Sequence, residues 1–532
     1  MRLILSLLVP ALFAACFLED ERHIGYERDR IVIGPVELKD GVAYVDGARD
    51  RVIIVDVTGA RPRFHTVGIG RRAIFATPTP DKQHLVVITR GEEAVVEGQV
   101  DEEPLLWLID TTAHDADPLA FEIGSPFDRI AMASDGSVAV TYYSEGGFDA
   151  ESGVFRNPNE LGIVDLGQPP SDDNPVVRTV RSFGSAPDGV VLSPPMAVPG
   201  AEDPTPRIFA FILSINTLTM LDATNPERNE VSIRLDGAGG QVRPRELVFA
   251  PNTATAYLRS DNARDVLAIF INADPPSAEQ PLDNDYRPSL AELGAGGGPS
   301  DVAFYDDPLG KRFVLAATPN TREVAVINGD TAEFVTIPTP DAIDRIVLFP
   351  NDPDVPARQA LLAALNQRVP RVHLLSLDGI DDELVPVDLR TVDLAEPVLD
   401  VVPVPGRELA MIIHDDDRTV LGLLDVAFDS VSPLQGVGKL DTYDFSAGGE
   451  HLVGATTQAA RVGFLELDTL HPSDMRLDDV PAKVFALSGG GIYIDHGDPF
   501  GRATYMPHAE ATRAESFALS GFLLAELIDE AL

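Results

Sequence analysis

At 532 residues the chain could hold several ordinary domains, and 44% apolar with 23% charged residues marks it as globular and not disordered. A formal net charge of −43, with five lysines among 41 cationic residues, sets the surface against phosphate backbones and so against nucleic acid. The single cysteine rules out intramolecular disulfides, and with them the Cys-x-x-Cys-His attachment of covalent haem.

Residues 1–16 read MRLILSLLVPALFAAC. Arg2, an apolar run from Leu3 to Phe13 and the small Ala14 and Ala15 have the build of a secretory signal. The run is too short to cross a hydrocarbon core of ~30 Å as a permanent helix. Its end resembles a bacterial lipobox, with Phe13 where a leucine is usual. The resemblance implies removal of residues 1–15 and lipidation of Cys16, with acyl chains as the contact to the membrane. Phe17, standing where an aspartate would retain the protein at the inner membrane, implies the outer membrane or cell surface, with a periplasm-facing orientation left open. Ordinary signal-peptidase cleavage and an uncleaved anchor are the alternatives. Residues 16–35 read as acylated cysteine and tether, and 36–532 as the folded body.

Beyond residue 36 the chain falls into short apolar runs punctuated by Gly and Pro, 43 of each. Ile74 to Pro78 reads as a strand ending in a turn, followed by a second strand from Leu85 to Ile88. The same pair recurs as Ile130–Ala133 before Val138–Val140, Leu247–Pro251 before Ala256–Leu258, and Val302–Phe304 before Phe313–Leu315. After each pair comes a third strand closing on two apolar residues and Asp or Asn. That phrase occurs at Val55-Asp56, Ile109-Asp110, Val164-Asp165, Leu221-Asp222, Ile271-Asn272, Ile327-Asn328, Leu377-Asp378, Leu424-Asp425 and Leu467-Asp468. A more polar fourth strand follows, such as Phe334–Ile337. Asp or Asn at a strand end suits a tight turn, because its side chain can accept from the backbone two residues on.

Four short strands per unit, repeated every 43 to 57 residues, describe an all-β propeller. The pattern resembles the secreted bacterial propellers with YVTN, NHL or WD40-like repeats, closest in wording to propeller lipoproteins of bacterial envelopes. The resemblance covers roughly residues 36–525 and implies a fold and little chemistry. Nine marked units and a tail unit from Val484 to Leu524 exceed the four to eight blades usual for such rings. With the terminal units sharing a blade and one or two others irregular, the expectation is about eight blades, in a range of seven to ten.

No nucleophile elbow of the form Gly-x-Ser-x-Gly and no His-Glu-x-x-His occurs in the chain. Gly68-Ile69-Gly70-Arg71-Arg72-Ala73 imitates a dinucleotide fingerprint, but a strand follows it where a helix is needed. With one tryptophan, the docking that quinone-dependent propellers use is missing, so neither haem nor quinone is expected. No cofactor is expected at all, with calcium as the one ion the acidic turn Asp415-Asp416-Asp417 would suit. Two insertions carry the candidate ligand-binding residues. One spans Tyr142, Tyr143, Phe148, Phe155, Arg156 and Asn157, and the other holds Tyr286 and Arg287. Tyr and Arg are favoured interface anchors, and loops on rigid scaffolds commonly carry function.

These features point to an envelope-anchored, non-catalytic binding or scaffolding module for a protein or glycan. A metal-dependent propeller hydrolase or lactonase and a TolB-like component of a periplasmic complex are the rival readings.

Overall fold

A computed structural model describes residues 32–524 apart from 93–100, 114–115, 145–156, 182–186, 236–240, 251–252, 276–283, 308, 353–354, 381–384, 417 and 436–438. Cys16, Phe148, Phe155, Arg156 and Asp417 therefore lie outside the described residues. Forty strands, β1 (Val32–Leu38) to β40 (Phe517–Ser520), form ten four-stranded sheets. Each is an antiparallel meander whose strands neighbour one another in chain order. The first strand begins at Val32, inside the stretch read as tether.

The middle strands show why the chain folds this way. β2 (Gly41–Asp46), β3 (Arg51–Asp56), β14 (Phe209–Ser214) and β15 (Thr217–Asp222) are buried along their whole length. Their Val, Ile, Phe and Leu side chains point alternately to both faces, and a neighbouring sheet covers each face. Fourth strands such as β4 (Arg63–Gly68) and β36 (His471–Arg476) are largely exposed. First strands of successive sheets lie side by side, as β1 does with β5 (Ala73–Pro78) and β33 (Thr442–Phe445) with β37 (Lys483–Ala486). They surround the axis, and the fourth strands form the rim.

The core is ten apolar clusters, one between each pair of adjacent sheets. Met196, Phe209, Tyr286 and Ile271 join the fourth sheet to the fifth, for example, and Val347, Leu361, Val401 and Ile412 the seventh to the eighth. The last cluster holds Val42, Tyr44 and Ile53 of the first sheet against Phe485, Tyr493 and Phe522 of the last. That contact closes the ring. The fold is a ten-bladed β-propeller.

The expectation of about eight blades is corrected on two counts. The terminal units do not share a sheet, because β1–β4 come from one end of the chain and β37–β40 from the other. Nor is any marked unit irregular, since each of the nine phrases falls at the end of a third strand, or one residue beyond it at Leu377 and Leu467. Closure relies on side chains. The Tyr44 hydroxyl donates to Asp495 at 2.8 Å and lies 3.0 Å from the Tyr493 hydroxyl, while Arg49 and Arg51 both donate to the Leu523 carbonyl at 2.8 Å. The Phe522 ring lies 5.2 Å from that of Tyr44 and stacks on Phe64 at 5.3 Å.

The marked carboxylates act as turn clips. Oδ1 of Asp56, Asp110, Asp165 and Asp222 accepts from the backbone N–H two residues on, at 2.8–2.9 Å, and Oδ1 of Asn328 and Asp425 does so at 2.9 and 3.0 Å.

Candidate functional site

Because every blade starts at the axis, all ten first strands run in one direction and their first residues meet at one mouth of the channel. Neighbouring inner strands approach to within 8 Å. Ten of them spaced ~8–10 Å apart leave the axis on the order of 15 Å from each. An inner strand has a blade on either face and a second strand on one edge, so its open side is the axis. Ile74 and Phe75 in β5, Met132 in β9 (Arg129–Met132), Phe249 in β17 (Arg243–Ala250), Phe304 in β21 (Asp301–Asp306) and Leu348 in β25 (Arg345–Phe349) are half-buried on these inner strands, packed against the clusters between blades. The inner strands are thus rich in apolar side chains that their neighbours cover only in part.

The mouth where these strands begin has a different chemistry. Arg72, Arg129, Arg245, Arg345 and Lys483 are exposed there, with Arg243 half-buried beside them. Arg243 pairs with Asp188 at 3.0 Å, Arg245 with Asp261 at 2.5 Å, and Arg129 with its neighbour Asp128 at 3.4 Å. Arg345 makes no ion pair among the described residues, and the Lys483 ammonium sits 4.5 Å from the Phe485 ring centroid. On a chain of net charge −43 these cations are accessible, set among carboxylates such as Glu102, Asp415 and Asp416 in the turns at the same mouth. The turns after the inner strands, at the opposite mouth, carry Asp40, Asp81, Asp135, Asp307 and Asp352, with Lys39 and Lys82 among them.

The aspartates at the cationic mouth are occupied by the scaffold. Asp128 accepts from the N–H and hydroxyl of Ser144 at 2.8 and 2.6 Å, and Asp344 from the N–H groups of Leu365 and Asn366 at 2.9 and 2.8 Å. Asp441 accepts from the N–H and hydroxyl of Thr457, both at 2.7 Å. Each pins the turn between its blade's second and third strands. Two others cap the axial edge of the next blade. Asp301 accepts from Ile346 N at 2.6 Å and Asp444 from Ala486 N at 2.9 Å, donors that an unpaired inner edge would otherwise leave unsatisfied. Burial pushes Asp301 up to about 6 and raises Asp444 as well.

The residues singled out from the sequence are dispersed. Tyr143 is fully buried with its ring 5.0 Å from that of Phe127, and Tyr286 is fully buried with its hydroxyl donating to the Met220 carbonyl at 3.1 Å. Both rings serve inter-blade packing. Tyr142 ends β10 (Val138–Tyr142) half-buried, and Asn157 shapes its own turn by donating to Thr179 at 2.8 Å. Arg287 is exposed on the fourth strand of blade five and pairs with Asp274 at 3.2 Å. Asp415 accepts from the Thr419 hydroxyl and N–H at 2.6 and 2.8 Å, which holds its pKa below the usual carboxylate value. Asp416 reaches Arg368 at 3.5 Å, so the two described aspartates of that turn face separate partners. Among the described residues no three His, Cys, Asp or Glu side chains gather as metal ligands would. A cleft of about 360 Å³ between blades nine and ten, bordered by Glu450, His451, His508 and Glu510, is no exception.

Two arrangements escaped the sequence reading. The strand-start cations were legible as a position, since Arg129, Arg345 and Lys483 each precede an apolar run, but the inner strand had to be known first. The second is a polar row that runs from the surface through the buried Asp341 and His373. Asp341, in the connection between blades six and seven, accepts from Arg371 Nε and Nη2 at 2.6 and 2.7 Å and lies 2.9 Å from His373 Nε2. His373 Nδ1 lies 3.0 Å from the Thr391 hydroxyl. A histidine inside an apolar strand was its one signal.

No protein-family model matches the chain, and no curated protein matches it in sequence. Among solved structures, dihydro-haem d1 dehydrogenase NirN in complex with DHE is similar at 12% identity and a TM-score of 0.39, over 77% of this chain and 76% of that one. At that identity and TM-score no residue role passes from it to this chain.

Proposed function

We propose that the protein is a lipid-anchored envelope propeller that binds, without chemical turnover, a segment of a partner protein at the cationic mouth of its channel. The observation that carries this reading is the pairing of partly covered apolar side chains on the inner strands with exposed arginines at the start of those strands. Arg and aromatic side chains, with Met, are the groups enriched in protein interfaces, and the parts of Phe75, Phe249, Phe304 and Met132 that neighbouring blades leave uncovered would supply the apolar contact here. The complementary segment is acidic with apolar side chains. For the hydrolase reading, a cation shared across the axis needs oxygens at 2.3–2.6 Å, whereas opposite inner strands stand on the order of 30 Å apart. The membrane address rests on the lipobox resemblance at Cys16, and the acyl chains would hold the propeller against an outer-membrane or surface leaflet.

A photo-crosslinking residue placed at Ile74, two residues from Arg72 at the cationic mouth, should yield a discrete adduct with one envelope protein when introduced in whole cells. The double variant Arg345→Glu/Lys483→Glu should reduce that adduct about tenfold or more, as loss of steering and paired charge predicts. An adduct unchanged by the charge reversal, or the same adduct from a crosslinker at Asp135 on the opposite mouth, would overturn the binding reading. The address is checked separately, by mass spectrometry of the mature N-terminus. It should carry diacylglyceryl on Cys16, and the Cys16→Ser protein should be released from membranes; a mature N-terminus without acyl groups rejects the anchor.

A further inference from the structure

Blades eight and nine do not fill the space between them. Their facing sheets leave a cleft of about 610 Å³, within the ~300–1,000 Å³ range of small-molecule sites. Its floor has a sequence cause. Gly454 in β34 (His451–Ala455) stands directly opposite Gly463 in β35 (Arg461–Glu466), so the two occupy one face of the sheet. That face is turned to blade eight, because Leu452 and Leu465, two residues from each glycine, belong to the cluster shared with blade eight. Leu440 lies over Gly454, where an added Cβ would come within 2.4 Å of its Cδ1. Over Gly463 an added Cβ would meet only backbone oxygens, at 3.7 Å or more, so the missing side chain is replaced by open space.

The walls are aliphatic, with Leu421, Pro433, Leu434 and Leu470 among them. The opening is bordered by Arg418, Lys439 and Arg461 and by the carboxylate of Asp474, with Asp441 beside Lys439 and the turn Asp415-Asp416 before Arg418. Arg461 reaches Asp474 at 3.0 Å, Lys439 reaches Asp441 at 3.4 Å, and Arg418 lies over the Tyr443 ring, 5.4 Å from its centroid. Three cations around an aliphatic slot, on so acidic a protein, define what fits it. The occupant has an alkyl body to lie on the glycine floor and one anionic head to meet the guanidinium and ammonium groups.

We propose that the cleft between blades eight and nine is a binding site for an alkyl-chain carboxylate, with Gly463 providing the floor and Arg418 and Lys439 the anion contact. It is independent of the channel mouth, and either site could fail without the other.

The probe is dodecanoate, titrated below its micelle concentration into the folded chain lacking residues 1–15 and followed by calorimetry. Saturable binding at one site per chain is expected. Dodecanol, which lacks the charge, should bind about tenfold or more weakly, and butanoate, which lacks the chain, should show no saturation. Gly463→Leu fills the slot and should abolish binding while the far-ultraviolet spectrum is kept. Should that variant misfold, Arg418→Met/Lys439→Met changes only cleft-mouth side chains and should bring dodecanoate affinity down to that of dodecanol. No saturation by dodecanoate, or equal affinity in the wild-type and Arg418→Met/Lys439→Met proteins, overturns the site.

Discussion

Phe522→Ala should lower the free energy of unfolding by about 3–5 kcal/mol, the range for truncating a buried phenylalanine whose cavity cannot collapse. Phe522 is 4% exposed and sits where the two ends of the chain meet, between Tyr44 and Phe64 of blade one. No strand crosses that seam, so the packing lost there has no backbone ladder to replace it. Tyr44→Phe keeps the ring contact but leaves the buried Asp495 without its hydroxyl donor, and should cost about 1–3 kcal/mol. Phe428→Ala, at a ring 80% exposed, serves as the control and should change stability by less than about 0.5 kcal/mol. Urea unfolding measures all three. Equal midpoints for Phe522→Ala and Phe428→Ala would mean that the ring is not closed through this seam.

Removing the Asp341 carboxylate should cost about 2–4 kcal/mol at pH 7, because Asp341→Ala leaves the Arg371 guanidinium and the fully buried His373 without their shared acceptor. The cost carries a pH signature. Hydrogen bonds from Arg371, aided by those from His373, hold Asp341 at about 2 against an ordinary value of 3.8. A carboxylate whose folded pKa is depressed stabilises the fold above its unfolded pKa and loses that contribution as pH falls through the folded one. The wild-type protein should therefore lose on the order of 2.5 kcal/mol from this group between about pH 5 and pH 1, most of it between about pH 4 and pH 2. Asp341→Asn should lack that part of the acid dependence. Parallel unfolding curves of wild type and Asp341→Asn across that interval would contradict the network drawn here.

The all-β repeat was legible because its signals are local. The unbroken apolar runs Leu85–Ile88 and Val138–Val140 report two covered faces, and an Asp two residues before a backbone N–H reports a turn whatever the rest of the chain does. Even the number of units could be counted, since nine marks and the tail unit are the ten blades. Blade number itself is a property of the angle at which sheets pack, and only the contact of Tyr44, Arg49 and Arg51 with Tyr493, Asp495 and Leu523 decided that all ten fit one ring.

The site residues divide in the same way. Tyr143 and Tyr286 have the composition of ligand-loop residues, but whether an aromatic faces water or the next blade is decided by a sheet that lies far off in sequence. Asp341 and His373 are thirty-two positions apart, and Gly454 and Gly463 matter because of the blade that faces them. Hydrophobic period and turn chemistry act between neighbours along the chain, and they made this protein a propeller from its sequence alone. Which side chains line the channel, seal the ring or leave a cleft depends on pairs that meet only after ten sheets have stacked, because the energy that places them is buried between blades and not within one.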